Sequence, residues 1–282
     1  MSDLLQLMIG PFVACMVLVA LLGYLGIHII AREVIFVDLS LAQMAALGST
    51  GALLFGLSPE SRYGYAFSLA FTILGAFIFA MSRTKVARRR VPQEAIIGIV
   101  FVVASAATML AAHRAATGAE AVKDILVGSI LWVSWSGIIK LTLVFLGVGL
   151  FQWIFRDRFV TISMNERLAE QRGWKLKLWD FYFYASFGVA ITMAVPVAGV
   201  LLVFTFLVVP AVIAFLFTRK TSQLLAITWI TSAIASAVGL GMSFQFDLPT
   251  GPLIVCVFGL ALLLAGLLCR RFPVPEAESP GG

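Results

Sequence analysis

The feature that most limits the possible folds of this 282-residue chain is a succession of apolar runs, most of them about as long as a bilayer is thick. Of all residues, 61% are hydrophobic and 12% are charged, against about 45–50% and about 25% in soluble domains. A bilayer offers no water to backbone N–H and C=O groups, and the runs lack the alternation of a barrel, so they predict helices. We therefore predict an all-α integral membrane protein of the cell's inner (plasma) membrane, with about nine transmembrane helices at residues 4–30, 34–57, 65–81, 94–112, 136–155, 181–195, 197–217, 223–242 and 252–269.

Most of the basic residues predict one orientation in the membrane. Alternation of the segments places residues 83–90, residues 156–180 and the basic pairs at residues 219–220 and 270–271 on one side, which the positive-inside rule makes cytoplasmic. The N-terminus is then outside and the C-terminus inside. The net charge of +6 follows from this topology and does not indicate a nucleic-acid partner. We predict a single domain over residues 1–272 and a short disordered tail at residues 273–282.

Two regions leave alternatives open at this stage. Residues 195–199 contain Pro196 and Gly199, and they form either a tight turn between two segments or an unwound point within the membrane. Residues 122–135 are too short to span, and the tryptophans Trp132 and Trp135 suit the headgroup level of a bilayer.

The polar stretch at residues 156–180 contains a predicted short helix over residues 164–172. Ser163 and Glu166 are three residues apart, as in a capping box, where each side chain accepts a hydrogen bond from the backbone N–H of the other residue. Gly173 lies where a left-handed C-terminal cap is expected.

This predicted helix needs a surface to pack against. Glu166 in its first turn and Arg172 in its last complement the helix dipole, and Met164 and Leu168, four residues apart, share one face. A helix of about nine residues is not stable alone in water. It therefore lies against a soluble partner or against lipid headgroups.

Motifs of known enzymes are absent. There is no GxxxxGK[ST] phosphate loop, no HExxH and no GxSxG, and neither His28 nor His113 has a second ligand at metal-binding spacing. The three cysteines, Cys15, Cys256 and Cys269, are isolated in apolar surroundings, which predicts buried, reduced thiols. The chain is therefore predicted not to be an enzyme.

Polar residues within the apolar segments are costly and mark a pathway or a contact between helices. The candidates are Asp38, Ser40 and Gln43 in the second segment, and His28 near the end of the first. Asp38 and Gln43 lie about 140° apart around a helix, so they serve different contacts. Capping and helix bridging for Asp38 and Gln43, an interfacial position for His28, and a role in substrate passage all remain open.

Three blocks of sequence carry a family resemblance that covers nearly the whole chain. They are residues 32–48, the run from Gly199 through Leu-Leu-Val to Pro210-Ala, and residues 163–173. With these blocks the chain resembles the membrane permease subunit of the ABC transporters that import zinc, manganese or iron. The third block matches the family's cytoplasmic coupling helix, which docks on the ATPase subunit.

The resemblance implies a permease that dimerises with a second copy of itself. It implies a cytoplasmic ATPase subunit that binds ATP, an extracytoplasmic substrate-binding protein, and no cofactor on this chain. The residues implied in coupling are Ser163, Met164, Glu166, Leu168, Arg172 and Gly173, and the helix that contains Gly199 and Pro210 is implied to bend or pack along the pathway.

The second block departs from the family pattern Gly-Asp-x-Leu-(Ala/Ser)-His. In this alignment Gln43 takes the place of the histidine, Leu39 that of the aspartate and Asp38 that of the glycine. A neutral amide is a poor ligand for zinc or manganese. The metal ligands therefore stay unassigned, and the remaining alternatives are a permease for a non-metal solute, a nucleotide-independent secondary transporter or channel, and a membrane scaffold.

Overall fold

The computed structural model describes residues 2–58, 61–83, 91–114, 128 and 130–271, with the side chains of residues 2–7, 270 and 271 excepted. The predicted tail at residues 273–282, the loop at residues 84–90 and most of residues 122–129 lie outside the described residues. The described regular structure is helical: α1 (Ser2–Ala31), α2 (Val37–Leu54), α3 (Arg62–Ser82), α4 (Gln93–Arg114), a single 3-10 turn (Ile130–Trp132), α5 (Trp135–Ile154), α6 (Arg156–Met164), α7 (Glu166–Gln171), α8 (Leu176–Phe217), α9 (Thr221–Phe246) and α10 (Thr250–Arg271).

Eight helices in the described part of the chain are long and apolar enough to cross a membrane. The sequence predicts about nine segments, and the difference lies in α8, whose 42 residues cover both residues 181–195 and residues 197–217. A straight helix of that length would extend about 63 Å, twice the thickness of the hydrocarbon core.

The two halves of α8 fold back on each other at Gly199, which has a φ of 77° and a ψ of 157° inside an otherwise helical run. Phe183 and Leu207 would be about 36 Å apart along a straight helix. Yet both lie beside the same turn of α1: the Phe183 ring is 5.7 Å from the His28 ring, and the Leu207 carbonyl touches Gly26, two residues before His28. The chain therefore reverses at Gly199 without leaving helical geometry on either side, and the left-handed φ there favours glycine.

The helix α1 and both halves of α8 form the centre of the bundle. Their buried side chains make up most of the hydrophobic core, and Leu18, Leu22, Phe187 and Phe206 are completely buried. In contrast, α4, α5 and α10 turn large apolar side chains outward, among them Leu110, Leu146 and Leu263. An apolar outer surface suits contact with lipid or with another apolar protein face.

One end of the bundle collects helix ends from distant parts of the chain. Arg32 follows α1, Arg83 follows α3 and Asp180 lies in the first turns of α8, and their charged groups meet there. The short helices α6 and α7 lie at this same end, between α5 and α8. We refer to it as the Arg32 end of the bundle.

Candidate functional site

Two short helices replace the single helix predicted at residues 164–172. The first, α6, ends at Met164, and α7 begins at Glu166 after Asn165, whose side-chain oxygen accepts a hydrogen bond from Leu168 N at 3.0 Å. The predicted capping box is therefore wrong, because Asn165 is the N-cap of α7 and Ser163 lies inside α6. Asparagine caps helices as well as serine does, and the Ser163 hydroxyl has other partners.

The predicted C-terminal cap agrees with the structure. Gly173 has a φ of 70°, its N–H donates to the Glu170 carbonyl, and the Trp174 N–H donates to the Ala169 carbonyl. These two bonds form a Schellman motif after Arg172. Met164 and Leu168, predicted to share one helix face, instead belong to α6 and α7; Met164 is exposed and Leu168 is half-buried.

Ser163 is buried and joins α6 to the end of α1. Its hydroxyl oxygen lies 2.8 Å from His28 Nδ1 and accepts a hydrogen bond from Arg32 Nε at 2.7 Å. Since arginine only donates, the hydroxyl hydrogen is available to donate to the imidazole nitrogen. His28 therefore sits in this contact at the Arg32 end, and the structure does not group it with Asp38 and Gln43.

Asp180 is the centre of a buried charged cluster with Arg32, Arg83 and Glu166. Arg32 Nη1 lies 2.9 Å from Asp180 Oδ1, Arg83 bonds to the other carboxylate oxygen, and Arg83 Nη2 lies 2.9 Å from Glu166 Oε1. The side chains of Arg32, Arg83 and Asp180 are 6%, 9% and 0% exposed. Among the described residues, two positive and two negative charges meet in this cluster, and each contacts an opposite charge, as buried charges require.

The charged cluster lies against aromatic rings. The Arg32 guanidinium is 3.9 Å from the centre of the Phe183 ring, a cation–π contact. Burial disfavours the charge on Arg83, but the carboxylates of Asp180 and Glu166 outweigh it and hold the pKa of Arg83 above its usual range. The geometry of the cluster is therefore fixed by ion pairs and by ring packing.

The outer surface of α6, α7 and the turn after them is exposed and basic. Its exposed residues include Arg158, Arg167, Arg172 and Lys175, and Met164, which is 39% exposed. A cavity of about 530 Å³ lies beside this surface and is lined by Arg83, Glu170, Gly173, Trp174, Lys175, Leu176 and Lys177. An exposed methionine among basic side chains suits contact with an acidic protein surface.

The polar residues of α2 differ in their surroundings, and Ser40 is the one bonded to α4 among the described contacts. Asp38 is 2% exposed, and Ser40 Oγ donates to the Ile97 carbonyl at 2.6 Å. Glu94, which was not among the site residues predicted from the sequence, accepts a hydrogen bond from the Phe36 N–H at 2.9 Å and so caps α2. Gln43 is half-buried, further along the helix. Within the described residues no group of three or more His, Cys, Asp or Glu side chains could hold a metal ion.

The cysteine prediction is correct in part. All three thiols are free, and Cys15 is buried, but Cys256 is exposed and Cys269 is half-buried. The difference arises because α10 has one side facing away from the bundle, so apolar surroundings in sequence do not guarantee burial in a membrane protein.

The ion pair between Arg83 and Asp180 was not predicted from the sequence. In the sequence, Arg83 begins the basic loop at residues 83–90, and Asp180 ends the polar stretch at residues 156–180. The available signal was the position of Asp180 just before an apolar segment, where a carboxylate is costly unless it reaches water, headgroups or a cation.

Comparison with known proteins gives matches over most of the chain. The family described as ABC 3 transport family matches residues 4–269. A probable metal transport system membrane protein of Chlamydia trachomatis is 25% identical over 265 residues, which is 92% of this chain and 88% of the relative. The manganese transport system membrane protein MntB of Synechocystis is 24% identical over 78% of this chain and 73% of its own length. The solved structure of PsaBC from Streptococcus pneumoniae in complex with a Fab covers 98% of this chain and 96% of its own, with a TM-score of 0.77 at 20% identity, and shows that the fold is shared.

Proposed function

The chain belongs to the ABC 3 transport family, and on that premise we propose that it is the permease subunit of an ATP-driven importer of a divalent metal cation. Relatives named for manganese and for chelated iron support those two cations as substrates. The observation that carries the proposal is the placement of α6 and α7: two short helices at one end of a membrane bundle, exposed on their outer side. On their inner side, Ser163 of α6 accepts a hydrogen bond from Arg32, and Glu166 of α7 pairs with Arg83.

We place nine crossings in the membrane, with α8 contributing two. The N-terminus is then outside and the C-terminus inside, and the Arg32 end faces the cytoplasm. Two features support this orientation: both ends of α8 pack beside the same end of α1, and the basic residues gather at that end.

The partner at α6 and α7 is a cytoplasmic ATPase subunit. This chain has no phosphate loop, so the hydrolysis of ATP falls to another subunit and reaches this one as movement. The exposed groups that would meet the partner are Met164 at the end of α6 and the arginines Arg167 and Arg172 at α7. Closure of two ATPase subunits would move α6 and α7 and open the pathway to alternate sides.

The pathway lies between two copies of the chain, along α2 and α8. Asp38, Ser40 and Gln43 are the polar residues that α2 offers. An extracytoplasmic binding protein delivers the cation at the far end. Carboxylate oxygen is a suitable ligand for manganese or iron, so Asp38 is the stronger candidate for contact with the substrate.

Uptake by the reconstituted complex tests the proposal. The chain is purified with its cognate ATPase subunit, inserted into liposomes with ATP inside or outside, and supplied with binding protein and radioactive Mn²⁺. We expect uptake only when ATP reaches the ATPase subunit, with ferrous iron competing. Uptake that is equal without ATP would favour a secondary transporter or channel, and ATP-dependent activity that ignores Mn²⁺, Fe²⁺ and Zn²⁺ would favour a permease for another solute.

A further inference from the structure

We propose that Asp180 is a positioning residue for coupling: through two arginines its single carboxylate joins both short helices, α6 and α7, to the membrane helices. The inference rests on the proposed function, in which α6 and α7 receive movement from an ATPase subunit. It assigns the element that passes this movement into the bundle.

Each arginine of the charged cluster bonds both to Asp180 and to a short helix. Arg32, after α1, bonds to Asp180 and to Ser163 of α6. Arg83, after α3, bonds to Asp180 and to Glu166 of α7. Two routes from the short helices therefore meet at one carboxylate of α8, and α1 and α3 enter through the arginines.

The burial of these contacts makes the linkage stiff. Asp180 is completely buried and both guanidinium groups are nearly so, which strengthens the charge-assisted hydrogen bonds relative to water. The attraction of each arginine to the carboxylate between them offsets the repulsion between the two arginines. If α6 or α7 shifts, its arginine must follow or lose its bond to that helix, and an arginine that follows pulls on Asp180. Displacement of α6 or α7 is thus transmitted to α1, α3 and α8 together.

A scaffold of the same shape could serve stability alone, and the ratio of transport to hydrolysis separates the two roles. A linkage that only stabilises the fold affects how much complex assembles. A linkage that transmits movement affects how much cation enters for each ATP hydrolysed by the complex that does assemble.

Two substitutions weaken one route each and leave Asp180 with both arginines. Glu166→Gln removes the negative charge from the contact of Arg83 with α7, at a side chain that is 23% exposed, and Ser163→Ala removes the hydrogen bond from Arg32 to α6. Because the buried Asp180 contacts stay intact, both variants are expected to fold. The matched control is Arg156→Gln, which lies on α6 with a side chain 59% exposed, 3.7 Å from Asp157.

The measurement is Mn²⁺ uptake per ATP hydrolysed in proteoliposomes that contain equal amounts of assembled complex. We expect the ratio to fall at least fivefold in Glu166→Gln and Ser163→Ala, with complex assembly and melting temperature near those of the wild type, and to stay unchanged in Arg156→Gln. Asp180→Asn, where it assembles, should lower the ratio further. A wild-type ratio in both Glu166→Gln and Ser163→Ala, or uptake and hydrolysis that fall together, would overturn the inference. ATP-independent uptake by the wild type would instead contradict the proposed function.

Discussion

Replacing Gly26 with alanine tests a close backbone contact in the core. Gly26 lies in α1, and a Cβ atom there would overlap the carbonyl oxygen of Leu207 in the second half of α8. Since this neighbour is backbone, it cannot rotate away as a side chain can. The added methyl group must push α1 and α8 apart, close to His28 and Arg32 at the end of α1.

The expected loss follows from two opposing effects. Overpacking a core by one methyl group costs about 1–3 kcal/mol, and backbone contact puts Gly26→Ala at the upper end of that range. Alanine recovers about 1 kcal/mol over glycine in a helix interior. The net destabilisation is about 2 kcal/mol. At Gly51 in α2 a Cβ would have no neighbour within 4 Å, so Gly51→Ala keeps only the gain of about 1 kcal/mol.

The assay compares both variants with the wild type by SDS titration in mixed micelles, followed by tryptophan fluorescence. We expect the unfolding midpoint of Gly26→Ala to lie at a lower SDS fraction than that of the wild type, and the midpoint of Gly51→Ala to lie at or above it. The free energies of unfolding of the two variants should differ by about 3 kcal/mol. Equal midpoints for the two variants would show that α1 and α8 do not approach each other as closely as the structure places them.

Three further substitutions test the proposed coupling surface, the reversal of α8 and the pathway. Met164→Asp should abolish co-purification with the ATPase subunit or ATP-driven Mn²⁺ uptake without unfolding the chain, whereas Arg156→Gln, on the same helix, should retain both; unchanged uptake by Met164→Asp would remove this residue from the interface. Gly199→Ala should lower the free energy of unfolding by about 1–2 kcal/mol, because alanine disfavours a φ of 77°, and an unchanged free energy of unfolding would contradict the reversal. Asp38→Asn should cut Mn²⁺ uptake at least tenfold at saturating ATP, and Gln43→Ala should cut it less; normal uptake by Asp38→Asn would leave Asp38 a structural role.

The membrane segments were predictable because lipid imposes a simple requirement on every residue that faces it. A run of apolar residues long enough to span must be helical, whatever its neighbours are. The segments at residues 181–195 and 197–217 illustrate both the strength and the limit of this reasoning. They correspond to the two halves of α8, but only the structure shows that one residue, Gly199, turns the chain between them.

The short helices were predicted less well because local signals compete with tertiary contacts. Ser163 and Asn165 are both good N-caps, and nothing within residues 156–180 decides between them. The choice is made by Arg32 and His28, which lie more than 130 positions earlier in the chain and occupy the Ser163 hydroxyl. The cap at Gly173 was predictable because its hydrogen bonds are all local.

The pairing of Asp180 with two arginines was out of reach of the sequence for the same reason. Arg32, Arg83 and Asp180 each look like a charge at the boundary of an apolar segment, where a side chain can reach water or headgroups without a partner. Their burial depends on α1, α3 and α8 ending at the same place, which is a property of the whole bundle. Single-residue arguments about cost in the membrane therefore identify such residues as exceptional but do not pair them.

The charged cluster is better explained by geometry than by stability. The attraction within a buried ion pair is little larger than the free-energy cost of desolvating its charges, and a protein with well-packed apolar residues in the same volume is often as stable. What the cluster supplies is a fixed arrangement: directional bonds from Arg32 and Arg83 hold α6 and α7 in one position relative to Asp180, which apolar packing alone would specify less strictly. A requirement for a fixed position is expected where short helices must pass on a displacement, and it is not expected where they only rest on lipid headgroups. The buried side of α6 and α7 thus favours a coupling role on grounds independent of the exposed Met164 surface.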